Sequence, residues 1–121
     1  MKRITIGLFA SLLLIASAVP QVQHGTTLTW VASTTAGVTY NVYRGTTSTG
    51  ESIIAQNASP ITGTTYFDAV TLGASPQTFY YYVEAVETSG TITVNSIPSN
   101  EVSATFPGTP TPATSLVATP K

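Results

Sequence analysis

The chain contains no cysteine. That excludes disulfides, a thiolate nucleophile, thiolate metal sites and a lipid carried on a lipobox cysteine. Charge is scarce too: four Lys and Arg, five Asp and Glu, and one histidine in 121 residues. Such a set leaves almost no material for metal ligation or for acid–base chemistry. Helical periodicity is missing throughout the chain beyond its first twenty residues, where apolar residues nowhere recur at three- and four-residue spacing.

One long hydrophobic run does occur, at the very start, in MKRITIGLFASLLLIASAVP. Lys2 and Arg3 precede an apolar stretch from Ile4 to Ile15, and Ala16-Ser17-Ala18 closes it with the small side chains that signal peptidase accepts. An uncleaved anchor or a core helix is the alternative, but the run is shorter than the ~20 apolar residues of a spanning helix. We therefore expect a signal peptide over 1–18, cleaved near Ala18, a domain over 20–107 and a tail over 108–121. The mature protein is expected to be secreted, extracellular or on the cell surface. It would keep Arg44 and Lys121 against Glu51, Asp68, Glu84, Glu87 and Glu101. With no basic stripe, neither nucleic acid nor an anionic membrane is an expected partner. Without disulfides, a hydrophobic core must hold the domain together, and roughly 85–90 residues suffice for one.

What the chain does have is Thr and Ser alternating with apolar residues. Period two marks strands with one solvated face, and β-branched Thr suits them. TTLTWVAS sets Leu28 and Trp30 on one face; GVTYNVYRG sets Val38, Tyr40 and Val42 inward and Asn41 and Tyr43 outward. ESIIAQ reads as a short, weak strand. In TTYFDAV, Tyr66 and Asp68 share a parity opposed to Phe67. QTFYYYVEAVE is the longest run, Gly90 makes the turn after it, and SNEVSATF alternates Val102, Ala104 and Phe106 against Glu101, Ser103 and Thr105. Turn signals recur roughly every ten residues, the rhythm of an antiparallel sandwich. From Pro107 the chain carries four prolines and no pattern, which reads as an extended tail or linker.

These segments, in this order, resemble a bacterial fibronectin type III domain over about Gln21 to Pro107. LTWVAS resembles strand B with its core Trp30, YNVYRG strand C, TTYFDAV strand E with its Tyr-x-Asp, FYYYVEAVETSG strand F, and SNEVSATFPG strand G. The resemblance implies an all-β fold: a seven-stranded antiparallel Greek-key β-sandwich of the fibronectin type III, immunoglobulin-like kind. It also implies a core of Leu28, Trp30, Tyr40, Val42, Tyr66, Phe79, Tyr81, Val83, Ala85 and Val102. Phe79 stands where the family places a tyrosine whose hydroxyl bonds back to the preceding loop, so the corner is expected to be looser here, or Tyr80 to stand in if the register slips by one. The apolar plug of the loop is Val70 or Leu72.

Parity splits the aromatic run: Phe79 and Tyr81 point inward, Tyr80, Tyr82 and Glu84 outward. The resemblance makes strands C and F neighbours, so Tyr43, Tyr80 and Tyr82, edged by Asn41 and Glu84, form a candidate surface patch. Tyrosine combines a flat apolar face with a hydroxyl and suits recognition of protein or sugar. The competing reading is that these tyrosines only pack on each other across strands.

No residue set points to catalysis, a cofactor or a metal. His24 has Ser33 and Asp68 as nominal triad partners, but no pattern brings the three together. Glu84 and Glu87 lie on opposite parities and do not form a glycosidase pair. Asp68 is expected to serve a turn or backbone hydrogen bond at a strand end. Arg44-Gly45-Thr46 lacks the acid of an adhesion tripeptide. Asn57-Ala58-Ser59 is formally a glycosylation acceptor, but Pro60 follows and we expect it unmodified. The expected function is a non-catalytic secreted module for extracellular protein or carbohydrate interaction or adhesion. The alternatives are a structural spacer or decorating subunit of an envelope, filament or virion, and an accessory domain of a secreted carbohydrate-active enzyme.

Overall fold

A computed structural model describes residues 23–121; the expected signal segment lies outside the described residues. Among the described residues there are six strands and no helix: β1 (His24–Thr29), β2 (Thr39–Gly45), β3 (Thr65–Val70), β4 (Gln77–Ser89), β5 (Ile92–Asn95) and β6 (Val102–Phe106). Every pairing is antiparallel. β1 and β3 make a two-stranded sheet. β4 is the spine of a four-stranded sheet, with β2 on one edge and β5 and β6 sharing the other. The fold is all-β, built of antiparallel sheets, with six strands in place of the expected seven.

The ESIIAQ segment accounts for one difference. It makes only an isolated bridge from Glu51 to Gly45, and Ile61 bridges Tyr40 further along. Side-chain chemistry replaces a ladder there. Asn57 Oδ1 accepts the Val42 N–H at 2.8 Å, while its Nδ2 donates to Asn41 Oδ1 at 3.0 Å and to Ser59 O at 2.9 Å. Backbone bonds from Ser52 to Arg44 O and from Gln56 to Val42 O complete the seam. The edge of β2 is thus closed by an irregular segment, which satisfies its donors as well as a strand would.

β5 is the strand that the sequence reading missed, although Ile92, Thr93 and Val94 are the β-branched residues a strand favours. A two-residue turn at Gly90-Thr91 joins it to β4, with Gly90 at a φ of 61° that glycine adopts without strain. Pro98 then breaks the line, since it has no N–H to donate. The serines on either side repair the gap. Ser96 N–H donates to Ala85 O and its hydroxyl accepts the Ala85 N–H at 2.9 Å; Ser99 does the same for Val83.

The sheets meet over Tyr40, Val42, Val70 and Tyr81, all buried; Val86, also buried, lies on the outer face of the larger sheet, opposite Thr39. Val70 is therefore the plug before β4, and Leu72 is only half-buried. Trp30 sits edge-on to Tyr40 at 5.4 Å, and the Tyr40 hydroxyl accepts the Ser33 N–H at 2.7 Å. Phe79 meets Phe106 edge-on at 6.0 Å. Leu28, Tyr66, Val83 and Ala85 are half-buried.

Val102 requires a correction: expected in the core, it is 47% exposed. Its neighbours explain this. Between β1 and the β4–β6 side of the larger sheet lies an open cleft of about 410 Å³, walled by Leu28, Trp30, Val83 and Val102. It is followed by a smaller cleft of about 190 Å³ beside Ala85 and Ile97. Val102 takes the inward parity, but among the described residues no strand covers that side of the core.

Asn57→Ala should lower stability by about 1–3 kcal/mol, because it leaves the N–H of fully buried Val42 without an acceptor. Denaturant unfolding of the variant beside the parent measures it, and a change under a few tenths of a kcal/mol would show that water replaces the amide.

Candidate functional site

The candidate patch lies on the outer face of the larger sheet, where β2 and β4 pair. Register sets Asn41 opposite Glu84, Tyr43 opposite Tyr82, and Gly45 opposite Tyr80. The five residues are thus brought onto adjoining strands. Tyr43, however, is only 6% exposed and is not a surface residue. Parity assigned its side of the sheet but not its coverage. The Tyr82 ring stacks on it at 4.8 Å with planes 23° apart, and residues 51–57 run along the β2 edge beside it.

The polar members of the patch are tied to one another. Asn41 Oδ1 accepts from Asn57. Asn95 Nδ2 donates to Glu84 Oε2 at 2.8 Å and reaches the Tyr43 hydroxyl at 3.5 Å. Burial, then the negative charge of Glu84, raises the pKa of the Tyr82 phenol. Only Tyr80, half-buried and opposite the bare Gly45, and the outer face of Tyr82 remain for a ligand. The arrangement is that of a cross-strand aromatic pair with its hydrogen bonds made internally.

The inner face holds a second constellation that sequence reasoning did not assemble. Asp68, 4% exposed on β3, faces Arg44 and Tyr81, which are register partners on β2 and β4. Arg44 Nη1 donates to Asp68 Oδ2 at 2.7 Å and the Tyr81 hydroxyl donates to the same oxygen at 2.9 Å. The guanidinium also lies 4.9 Å over the Phe79 ring. Asp68 was expected at a strand-end turn; instead its carboxylate bonds side chains across the core. The signal was present, since period two puts Arg44 on the same side as Val42, but the partner came from the other sheet.

A carboxyl pair forms at the loop after β2. Glu101 accepts the Thr49 N–H at 2.7 Å and the Ser48 hydroxyl at 2.8 Å, and these donors lower its pKa. Burial, then the neighbouring Glu101, raises that of Glu51, whose Oε1 is buried without a partner. Gly45 brings Glu51 into place, because a Cβ there would lie 2.7 Å from the Glu51 backbone.

His24, exposed at the first position of β1, lies at the far end of that strand from Ser33, and the Asp68 carboxylate is engaged elsewhere. The three do not meet. Among the described residues no group of three or more His, Asp or Glu converges to hold a metal ion.

Two outcomes follow. Tyr82→Ala uncovers Tyr43 and should cost about 1–3 kcal/mol in thermal or denaturant unfolding, whereas Tyr80→Ala should cost less than about 1 kcal/mol. Burial, then the bond to Asp68, raises the pKa of the Tyr81 phenol, and burial raises that of Tyr66. The native state therefore keeps these protons to higher pH than the unfolded chain, whose tyrosines titrate near ~10. That stability is fully present below about pH 10 and is lost as pH rises through the native values. Tyr81→Phe should flatten this alkaline decline while costing about 1–2 kcal/mol at neutral pH; an unchanged alkaline slope would exclude Tyr81 as its source.

Compared with known proteins, the chain matches no family model, no curated protein and no solved structure, so its geometry alone bears on its function.

Proposed function

We propose that the chain is an exported, non-catalytic interaction module of the fibronectin type III kind, and that its partners are proteins rather than sugars. In this reading β1 and β3 correspond to strands B and E. β2 and β4 correspond to C and F, and β5 with β6 to a strand G interrupted at Pro98. The grouping of β1 with β3, and of β2, β4, β5 and β6 together, supports it, because such sandwiches divide their strands in that way.

One observation carries the partner class: the tyrosine whose face a sugar would need is stacked under its neighbour, whereas β1 borders an apolar cleft. A strand edge beside an apolar wall recognises an extended peptide through main-chain bonds and side-chain pockets. A structural role, as a spacer or a repeating subunit, is the second reading, and residues 107–121, which form no strand and are almost all exposed, favour it as a tether.

Two measurements test the proposal. N-terminal sequencing of the chain recovered from culture medium should begin next to Ala18; retention of Met1 would overturn export. Immobilised protein should capture extracellular proteins and stay silent on a glycan array. Glycan binding that Tyr80→Ala or Tyr82→Ala abolishes would reverse the partner class.

A further inference from the structure

We propose that residues Thr114–Thr119 of one copy add as an antiparallel strand to the free edge of β1 in the next copy, so that the chain assembles head to tail. This deepens the protein-binding reading by naming the partner, and rests on it.

The acceptor is built from β1. Trp30 N–H donates to Thr64 O on the β3 side. Backbone groups alternate along a strand, so the N–H groups of Thr27, Thr29 and Val31 point the other way, where among the described strands β1 has no neighbour. An unpaired edge of this kind is a template for another strand. The cleft runs beside that edge, and its wall includes Leu28, Trp30 and Val102, apolar groups that none of the described strands covers.

The donor is the tail. Leu116 and Val117 are 99% and 79% exposed. They are the largest apolar side chains beyond Phe106, with prolines on both sides at Pro112 and Pro120. Six residues, Thr114–Thr119, match the six of β1. Extended, they put Leu116 and Ala118 on the cleft side and Ser115, Val117 and Thr119 on the outer side. Ser115 has a left-handed φ of 60° in the free tail, which pairing would relieve.

Direction decides between its own edge and another copy's. Leu28 shares the cleft with Tyr81 and Val102, while Trp30 borders Ala85 and Ser96, so β1 runs in the same sense as β4 and opposite to β6. The tail therefore leaves β6 at the end where β1 begins. It is also led away from the free edge: Thr109 N–H bonds Gly73 O at 2.9 Å, on the loop that follows β3. Its own copy would have to reverse it and pair it parallel to β1. The tail of a copy stacked on the opposite end enters antiparallel without a turn. Each copy then offers one edge and one tail, a heterologous contact that carries assembly past the dimer.

The test is sedimentation velocity on the purified secreted chain over a wide concentration range. Three partners are compared: the parent, Thr29→Pro, and the double variant Leu116→Asp with Val117→Asp. The parent should grow past dimer as concentration rises. Proline at Thr29 removes one edge donor from an exposed strand position, which edge strands tolerate, and the aspartates lie in residues without secondary structure. Each variant alone should associate at least ~10-fold more weakly than the parent. Their equimolar mixture should stop at a one-to-one dimer, one supplying the edge and the other the tail. A parent that stays monomeric throughout overturns the proposal, as it would if residues ahead of β1 or its own tail filled the edge. Association of the double aspartate variant equal to the parent's overturns it too, whether or not Thr29→Pro folds. A monomeric parent that still captures extracellular proteins sinks the self-assembly alone; the loss of both sinks the protein-binding reading with it.

Discussion

The structure depends on one carboxylate. Among the described residues Asp68 is the charged group taken from water in a core of few apolar side chains, and it sits on the smaller sheet with both its donors on the larger one. Burying a charge is costly unless it is paired and hydrogen-bonded. The sheets must therefore approach in the one alignment that brings Arg44 and Tyr81 to the same oxygen. Non-directional burial of Tyr40, Val42 and Val70 favours contact between the sheets but does not select their offset. The ion pair does, and because the Arg44 side chain keeps 27% of its surface exposed, it does so without desolvating both partners.

The edges of the two sheets are handled in opposite ways. β2 is sealed by an irregular segment whose key residue, Asn57, presents an amide oxygen and an amide nitrogen where a strand would present a carbonyl and an N–H. Ser96 and Ser99 repeat the device along β4, where Pro98 interrupts pairing. In a chain so poor in charge, hydroxyls and amides do the work that charged side chains do on other sheet edges. Among the described residues β1 has no such treatment. The edge away from β3 borders the apolar cleft, and the exposure of Val102 goes with it.

The outer face carries a related lesson about recognition. Tyr43, Tyr80 and Tyr82 share one side of one sheet, which suggests a ligand platform when read as a pattern. In three dimensions Tyr82 covers Tyr43, and Asn57 and Asn95 engage Asn41 and Glu84. Aromatic residues on adjacent strands lie within stacking distance of each other before any ligand arrives.

By itself the sequence determined the class of fold and the side of the sheet on which each strand residue lies. Period two is a local property of extended backbone, and Tyr40, Val42 and Tyr81 show it directly. It could not determine coverage, because what lies over a residue comes from distant segments: Tyr82 lies over Tyr43, while Val102 is left 47% exposed among the described residues. Nor could it say that Glu51–Gln56 would yield its place along β2 to the side chain of Asn57, or that β5 would form beyond Gly90. Those outcomes rest on competition between ladder bonds and side-chain bonds of similar strength. The union of Arg44, Asp68 and Tyr81 was likewise decided only by tertiary structure. Period two turns all three side chains inward, but nothing in their spacing says that they meet, and only the facing of two sheets across a buried charge brings them together.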